Sequence, residues 1–176
     1  MAEQITLYKL MILYMLEHVD FSLSYTHISD FILERGYTDY FHLQPAIAEL
    51  AEMGLIHEES IRSSSYYMIT PEGEETIGYF RNRIPAEFRS EMDEWLKENR
   101  LTMINDIAVL ADYYRCTGGD YEVCCRIREK KQQLCELHLT VGDEAMAKAV
   151  CSSWKKKSQD LYQYLMNELL EEPDGD

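Results

Sequence analysis

The sequence predicts an α+β fold: a first half of short helices closed by a β-hairpin, then a three-stranded antiparallel meander covered by one long helix. Three observations carry this reading. Apolar residues recur at helical spacing in three short runs between Ile5 and Met53, the period falls to two after Ile107, and helical spacing returns from Asp143 to Leu170.

Ile5 to His18 reads as the first helix, with Leu7, Leu10, Met11 and Tyr14 on one stripe and Ile12 and Leu16 near another, more apolar surface than a single buried face needs. Phe21 to Tyr25 alternates apolar residues with Ser22 and Ser24, as a short strand or extended link does. Thr26 is placed to cap a second helix, His27 to Arg35, which carries Ile28, Phe31 and Ile32 inward and stops at Gly36. A third helix follows Gly36-Tyr37-Thr38-Asp39, with Leu43, Ala46, Ile47, Leu50 and Met53 on one face and Gly54 as its end. Pro45 has no amide hydrogen to donate, so a start near His42 is expected, which keeps Pro45 in the first turn. Leu55 to Ile61 and Tyr66 to Ile69 read as strands joined by the polar tip Arg62-Ser63-Ser64-Ser65. Thr70-Pro71-Glu72-Gly73 then starts a fourth helix: a capping hydroxyl, proline at the first position, and Glu72, Glu74 and Glu75 near the positive end of the helix dipole.

Pro85 precedes a helix over Ala86 to Asn99. Ile107, Val109, Ala111 and Tyr113 alternate with more polar neighbours, and after Thr117-Gly118-Gly119-Asp120 so do Tyr121, Val123, Cys125 and Ile127. Lys130-Lys131 make a second turn, and Cys135, Leu137 and Leu139 supply the buried face of a third strand. The last helix, Asp143 to Leu170, aligns Ala147, Val150, Trp154, Leu161 and Leu165 for packing on one sheet face.

Three helices, a hairpin and a further helix, in that order, form the winged helix-turn-helix arrangement, whose third helix usually enters the DNA major groove. The run Ala46-Ile47-Ala48-Glu49-Leu50-Ala51-Glu52-Met53-Gly54-Leu55-Ile56, followed by Tyr67-Met68-Ile69-Thr70-Pro71-Glu72-Gly73, resembles PadR-like winged-helix regulators. Over nearly the whole chain, Arg83-Ile84-Pro85, Ala149-Val150-Cys151-Ser152-Ser153-Trp154-Lys155, Tyr162 and Leu165 resemble a bacterial, clostridial-type family known only as a domain of unknown function. That resemblance implies the architecture and a role in transcription, with no ligand, reaction or target. The expected organisation is a winged helix-turn-helix at 1–84, a connecting helix at 85–100, the antiparallel sheet plus C-terminal helix at 101–170, and a frayed tail at 171–176.

With 46% hydrophobic and 28% charged residues among 176, the composition is that of a folded globular chain. The longest apolar stretch, Leu10 to Leu16, is far short of the roughly 20 residues of a membrane span, and no secretory signal is visible, so a cytoplasmic protein without membrane attachment is expected. The five cysteines, Cys116, Cys124, Cys125, Cys135 and Cys151, are an odd set without paired CxxC spacing and read as reduced, mostly buried thiols. The nearest zinc candidates, Cys124, Cys125, Cys135 and His138, include strand neighbours that point to opposite faces, so no metal site is expected. No cofactor motif, nucleophile–base pair or phosphate loop appears, and no enzyme is expected.

The formal net charge is −15. In residues 1–80 only Lys9, Arg35 and Arg62 are basic, against thirteen acidic side chains, whereas DNA-binding surfaces normally carry a basic footprint. If the first half reads DNA, the contacts fall to Tyr40, His42, Gln44, Ala48 and Glu49 on the third helix and to Arg62, Ser63, Ser64 and Ser65 at the hairpin tip. A second basic group is Arg126, Arg128, Lys130, Lys131 and Lys155-Lys156-Lys157. The expected function is a homodimeric DNA-binding transcriptional regulator with no effector assigned; the alternative is an acidic winged helix used for protein–protein interaction or as a scaffold, without DNA. The dimer is argued from the apolar surplus of the first helix together with Trp95 and Trp154.

Overall fold

The computed structural model describes residues 2–61, 64–129 and 132–171, with the side chains of residues 2–6 and 61 left out. The expected turn residues Lys130 and Lys131, the tip residues Arg62 and Ser63, and tail residues 172–176 lie outside the described residues. The chain divides into two compact units, Met1–Ile107 and Ala108–Asp176. Among the described residues the fold is α+β, with six α-helices and two three-stranded antiparallel sheets.

Unit 1 runs α1 (Ala2–Glu17), β1 (Leu23–Ser24), α2 (Tyr25–Glu34), α3 (Tyr40–Glu52), β2 (Ile56–Ile61), β3 (Ser64–Ile69), α4 (Pro71–Phe80), a 3₁₀ turn at Arg81–Arg83, and α5, which begins at Ala86 and runs to Ala108. The many-sided apolar surface of α1 is consumed inside this unit: Leu10, Met11, Ile12, Leu13, Tyr14, Met15 and Leu16 are all buried, α1 packing on α3, α4 and β3. Among the described side chains, most of that surplus is thus spent on packing within the unit.

Several expected boundaries move, each for a local reason. The cap of α2 is Ser24 rather than Thr26. Its hydroxyl accepts from the His27 amide at 3.1 Å while the Ser24 amide donates to His27 Nδ1 at 3.2 Å, a reciprocal pair that satisfies two end groups at once. Leu23 and Ser24 also pair with Tyr67 and Tyr66, so the first sheet has three strands in the order β1-β3-β2 rather than two. Helix α3 starts at Tyr40 rather than near His42, because the Asp39 carboxylate accepts from the His42 amide at 3.0 Å. Pro45 thus falls in the second turn, where it leaves the Phe41 carbonyl without its helical amide partner. Gly36 and Gly54 stand at φ 71° and 72°, the left-handed geometry in which α2 and α3 end.

The Gly54-Leu55 and Thr70–Gly73 segments, two parts of the sequence pattern far apart in the chain, meet at the base of the hairpin. The Thr70 hydroxyl donates to the Gly54 carbonyl at 2.7 Å and accepts from the Gly73 amide at 3.1 Å, and the Thr70 amide donates to the Leu55 carbonyl at 3.1 Å. Helix α5 does not end at Asn99. It is held to α1 by a hydrogen bond from the Tyr14 hydroxyl to Asp93 (2.7 Å) and to α2 by the Phe31–Trp95 ring contact and by buried His27, whose Nε2 lies 2.9 Å from Asp106.

Unit 2 is the antiparallel meander β4 (Val109–Arg115), β5 (Tyr121–Glu129) and β6 (Gln132–Val141), followed by α6 (Glu144–Leu170), capped by Asp143. Val123, Cys125, Ile127, Ala147 and Trp154 form its buried core, with Cys135, Leu137 and Cys151 packed against it. The Trp154 indole donates to the Arg126 carbonyl at 3.2 Å, pinning α6 to β5. Burial accounts for Cys125, Cys135 and Cys151 as small apolar residues and raises all three thiol pKa values, that of Cys125 to about 11. No helix of the described residues is long and apolar enough to cross a membrane.

Candidate functional site

The inward spacing of Leu43, Ala46, Ile47 and Leu50 fixes the face α3 turns to the core and so the face it turns out. That outer face carries Tyr40 (53% exposed), Phe41 (80% exposed), Gln44 and Ala48. The two rings meet edge-on at 5.9 Å between centroids, and Tyr40 also meets Tyr25 edge-on at 6.4 Å. These four residues are uncharged. Of the carboxylates around this face, Asp39 takes the His42 amide and ring, the latter at 2.8 Å, and Glu49 is paired with Lys9, while Glu52, one turn past Ala48, is exposed. The hydrogen bond from the His42 side chain holds the Asp39 carboxyl below the usual range.

The expected contact residues are thus only partly assembled. Tyr40 and Gln44 share the exposed strip, with Gln44 near the Tyr25 hydroxyl, whose pKa burial raises and Gln44 opposes. His42 is exposed but spends Nδ1 on its own cap. Ser64, on β3 opposite Ile61, is exposed; Ser65, opposite Ser60, is half-buried and near Tyr67. Arg62 and Ser63 lie outside the described residues. The hairpin also carries exposed Glu58, which accepts from the Tyr67 hydroxyl at 3.4 Å, and half-buried Glu59. Sequence reasoning passed over Phe41; the signal was an aromatic residue falling outside the 43, 46, 47, 50 core set.

A second constellation lies on the face of unit 2's sheet turned away from α6. Register places Cys124 opposite His138, and Glu136 is two residues along the same strand, on the same face. The donor atoms of Cys124, Glu136 and His138 all lie within 4.8 Å of one another. His138 Nδ1 is 2.9 Å from Glu122 and its Nε2 is 2.5 Å from Glu136, and these two carboxylates, Glu122 first, raise the imidazole pKa. Two residues weighed for zinc, Cys124 and His138, therefore meet, while Cys125 and Cys135 belong to the opposite, core-facing side. The second basic group is divided: Arg126 and Arg128 stand on this outer face, Lys155, Lys156 and Lys157 are exposed on α6 across the sheet, and Lys130 and Lys131 are outside the described residues. Beside β6, an apolar groove of about 490 Å³ opens between Leu137, Leu139, Val150, Leu161, Tyr164 and Leu165.

An α+β chain with a helix-and-hairpin unit and a separate sheet-and-helix unit is the class these features define. The chain belongs to the family described as domain of unknown function DUF4364, whose profile matches residues 8–169. No curated protein and no solved structure matches it.

Proposed function

We propose that unit 1 is a winged helix-turn-helix of the PadR-like kind, with β2 and β3 as the wing, and that the protein is a homodimeric DNA-binding transcriptional regulator. The observation that carries this reading is the uncharged strip Tyr40, Phe41, Gln44 and Ala48 on α3, the helix this arrangement offers to the major groove. In a module with thirteen acidic residues, His42 engages Asp39 and Lys9 engages Glu49, so the carboxylate that borders the strip is exposed Glu52, one turn past Ala48. Gln44 suits an adenine edge and the two aromatic rings suit thymine methyl groups. Dimerisation is assigned to the groove beside β6 in unit 2, where Leu139, Leu161 and Tyr164 are exposed.

Binding to genomic fragments across a salt series tests the DNA reading. Retention of a subset of fragments that Phe41→Ala and Gln44→Ala abolish is expected; retention of none at low salt refutes it. Light scattering tests the dimer, and a wild-type monomer at micromolar concentration refutes that part.

The second reading is a protein-binding module. It is favoured by Phe41, an 80%-exposed ring beside exposed Tyr40, standing in a unit whose hairpin carries Glu58 and Glu59. Capture of a basic protein partner, lost in Phe41→Ala, with no DNA retained, would establish it instead.

A further inference from the structure

We propose that Cys124, Glu136 and His138 form a zinc site on the outer face of the second sheet, with Glu122 orienting the imidazole and a fourth position open to water or an external ligand. A thiolate, an imidazole and a carboxylate form a mixed donor set that zinc accepts, and three protein ligands with one open position distinguish exchangeable sites from closed structural ones.

The geometry is close to that of a loaded site. Zinc bound at about 2.3 Å from sulfur and about 2.0 Å from nitrogen places those donors roughly 3.5 Å apart at the tetrahedral angle; Cys124 Sγ and His138 Nε2 are 3.8 Å apart. Glu136 Oε1, 2.5 Å from His138 Nε2, must withdraw by somewhat less than 1 Å at that scale, and its side chain is partly exposed.

The surrounding groups support the same arrangement. Hydrogen bonding of His138 Nδ1 to Glu122 at 2.9 Å turns Nε2 toward Cys124 and Glu136, the carboxylate–histidine–metal relation found around metal-bound imidazoles. Gln133 Nε2 donates to Glu136 Oε2 at 2.7 Å, which leaves Oε1 on the side of the other two donors. Arg126 Nε stands 3.4 Å from both Cys124 Sγ and Glu136 Oε2. It is positioned to donate to a thiolate, and it completes the charge: the thiolate, Glu136 and Glu122 balance a divalent zinc and the guanidinium. A strand pair supplies the platform. Ligands on a rigid, directly opposed register, Cys124 against His138, need little ordering when the ion arrives.

The test uses the full-length protein and metal alone. Zinc is titrated in competition with a chromophoric chelator, and cobalt(II) is titrated separately while thiolate-to-cobalt charge transfer in the near ultraviolet is followed. One equivalent per chain is expected, with the charge-transfer band present in wild type and in Cys135→Ser and absent in Cys124→Ser. His138→Gln should lose most of the affinity, and Glu122→Gln should weaken it about 10- to 100-fold. Far-ultraviolet circular dichroism confirms that each variant is folded, and the wild-type titration stands without any variant. Failure of the wild-type chain to compete with a micromolar chelator overturns the proposal. So does a charge-transfer band that survives in Cys124→Ser.

Discussion

Replacing Gly73 by alanine should cost unit 1 about 1–3 kcal/mol, although alanine is the better helix former. Gly73 is buried in the first turn of α4. A Cβ there would sit 2.8 Å from Ile69 Cγ1 and deeper still against the Leu55 carbonyl oxygen, whereas carbon contacts are ordinarily at ~3.5 Å or more. The Ile69 side chain can yield. The carbonyl is main chain, and it also accepts the Thr70 amide at 3.1 Å. Relieving the clash therefore moves the start of β2 and weakens a hydrogen bond. Overpacking of about 1–3 kcal/mol and about 1 kcal/mol for that bond outweigh the ~1 kcal/mol that alanine returns by propensity. Gly78 supplies the control, since it lies on the exposed side of the same helix with nothing within 4 Å of an added Cβ. Alanine there should stabilise by about 0.5–1 kcal/mol. Urea unfolding followed through Trp95 in a Trp154→Phe background reports unit 1 by itself. If the two alanine variants fall within about 1 kcal/mol of each other, the close approach of α4 to the base of the hairpin is wrong.

Thr70→Ala removes the α4 cap and the bond to the Gly54 carbonyl, and the same assay should show a loss of about 1–2 kcal/mol. Phe41→Ala should leave stability within about 0.5 kcal/mol of wild type while reducing partner binding at least tenfold, because an 80%-exposed ring contributes little to the core. Tyr14 and Tyr37 are each raised to about 12, in both cases by burial first and then by a hydrogen bond to a carboxylate, Asp93 and Glu91 respectively. A folded-state pKa above the unfolded value of ~10 means that the proton is held more tightly in the fold; their contribution is fully present below pH ~10 and lost as pH rises toward 12. Tyr14→Phe and Tyr37→Phe should each flatten the decline in urea midpoint across that alkaline window.

How far the sequence reveals the fold depends on whether a signal is local. Element order, the Thr70-Pro71 start of α4, the glycine ends of α2 and α3 and the meander with its inward Val123, Cys125 and Ile127 all follow from turn chemistry and period. The errors fall where a distant partner decides. Ser24 outcompetes Thr26 as cap because His27, three residues on, is itself held by Asp106 from α5, and the short extended segment expected within Phe21 to Tyr25 joins the first sheet because β3 offers it an edge. Helix α5 runs past Asn99 because Met103 and Ile107 have a core to enter, which composition over that stretch does not announce. The Cys124–His138 pair was a matter of register. Testing the cysteines for adjacency in sequence hid it, whereas pairing β5 with β6 across the turn would have placed Glu122, Cys124, Glu136 and His138 on one face.

Charge gives the DNA reading its sharpest test. Each phosphate neutralised contributes a slope of about −0.9 to log affinity against log salt. The cations available in residues 1–80 are Lys9, already paired with Glu49, Arg35, paired with Glu91, and Arg62. Contacts made by residues 1–80 therefore allow a slope no steeper than about −3 per protomer, and about −1 if the two ion pairs persist. A shallow slope combined with strong dependence on Phe41 and Gln44 would mean that recognition rests on apolar and hydrogen-bonding contact with base edges. A slope near −6 or steeper per protomer would require cations beyond residue 80, such as Arg83 and Lys97 on the later part of unit 1 or Lys155–Lys157 on α6. In that case α3 is not the surface that carries the affinity, however well its shape suits a groove.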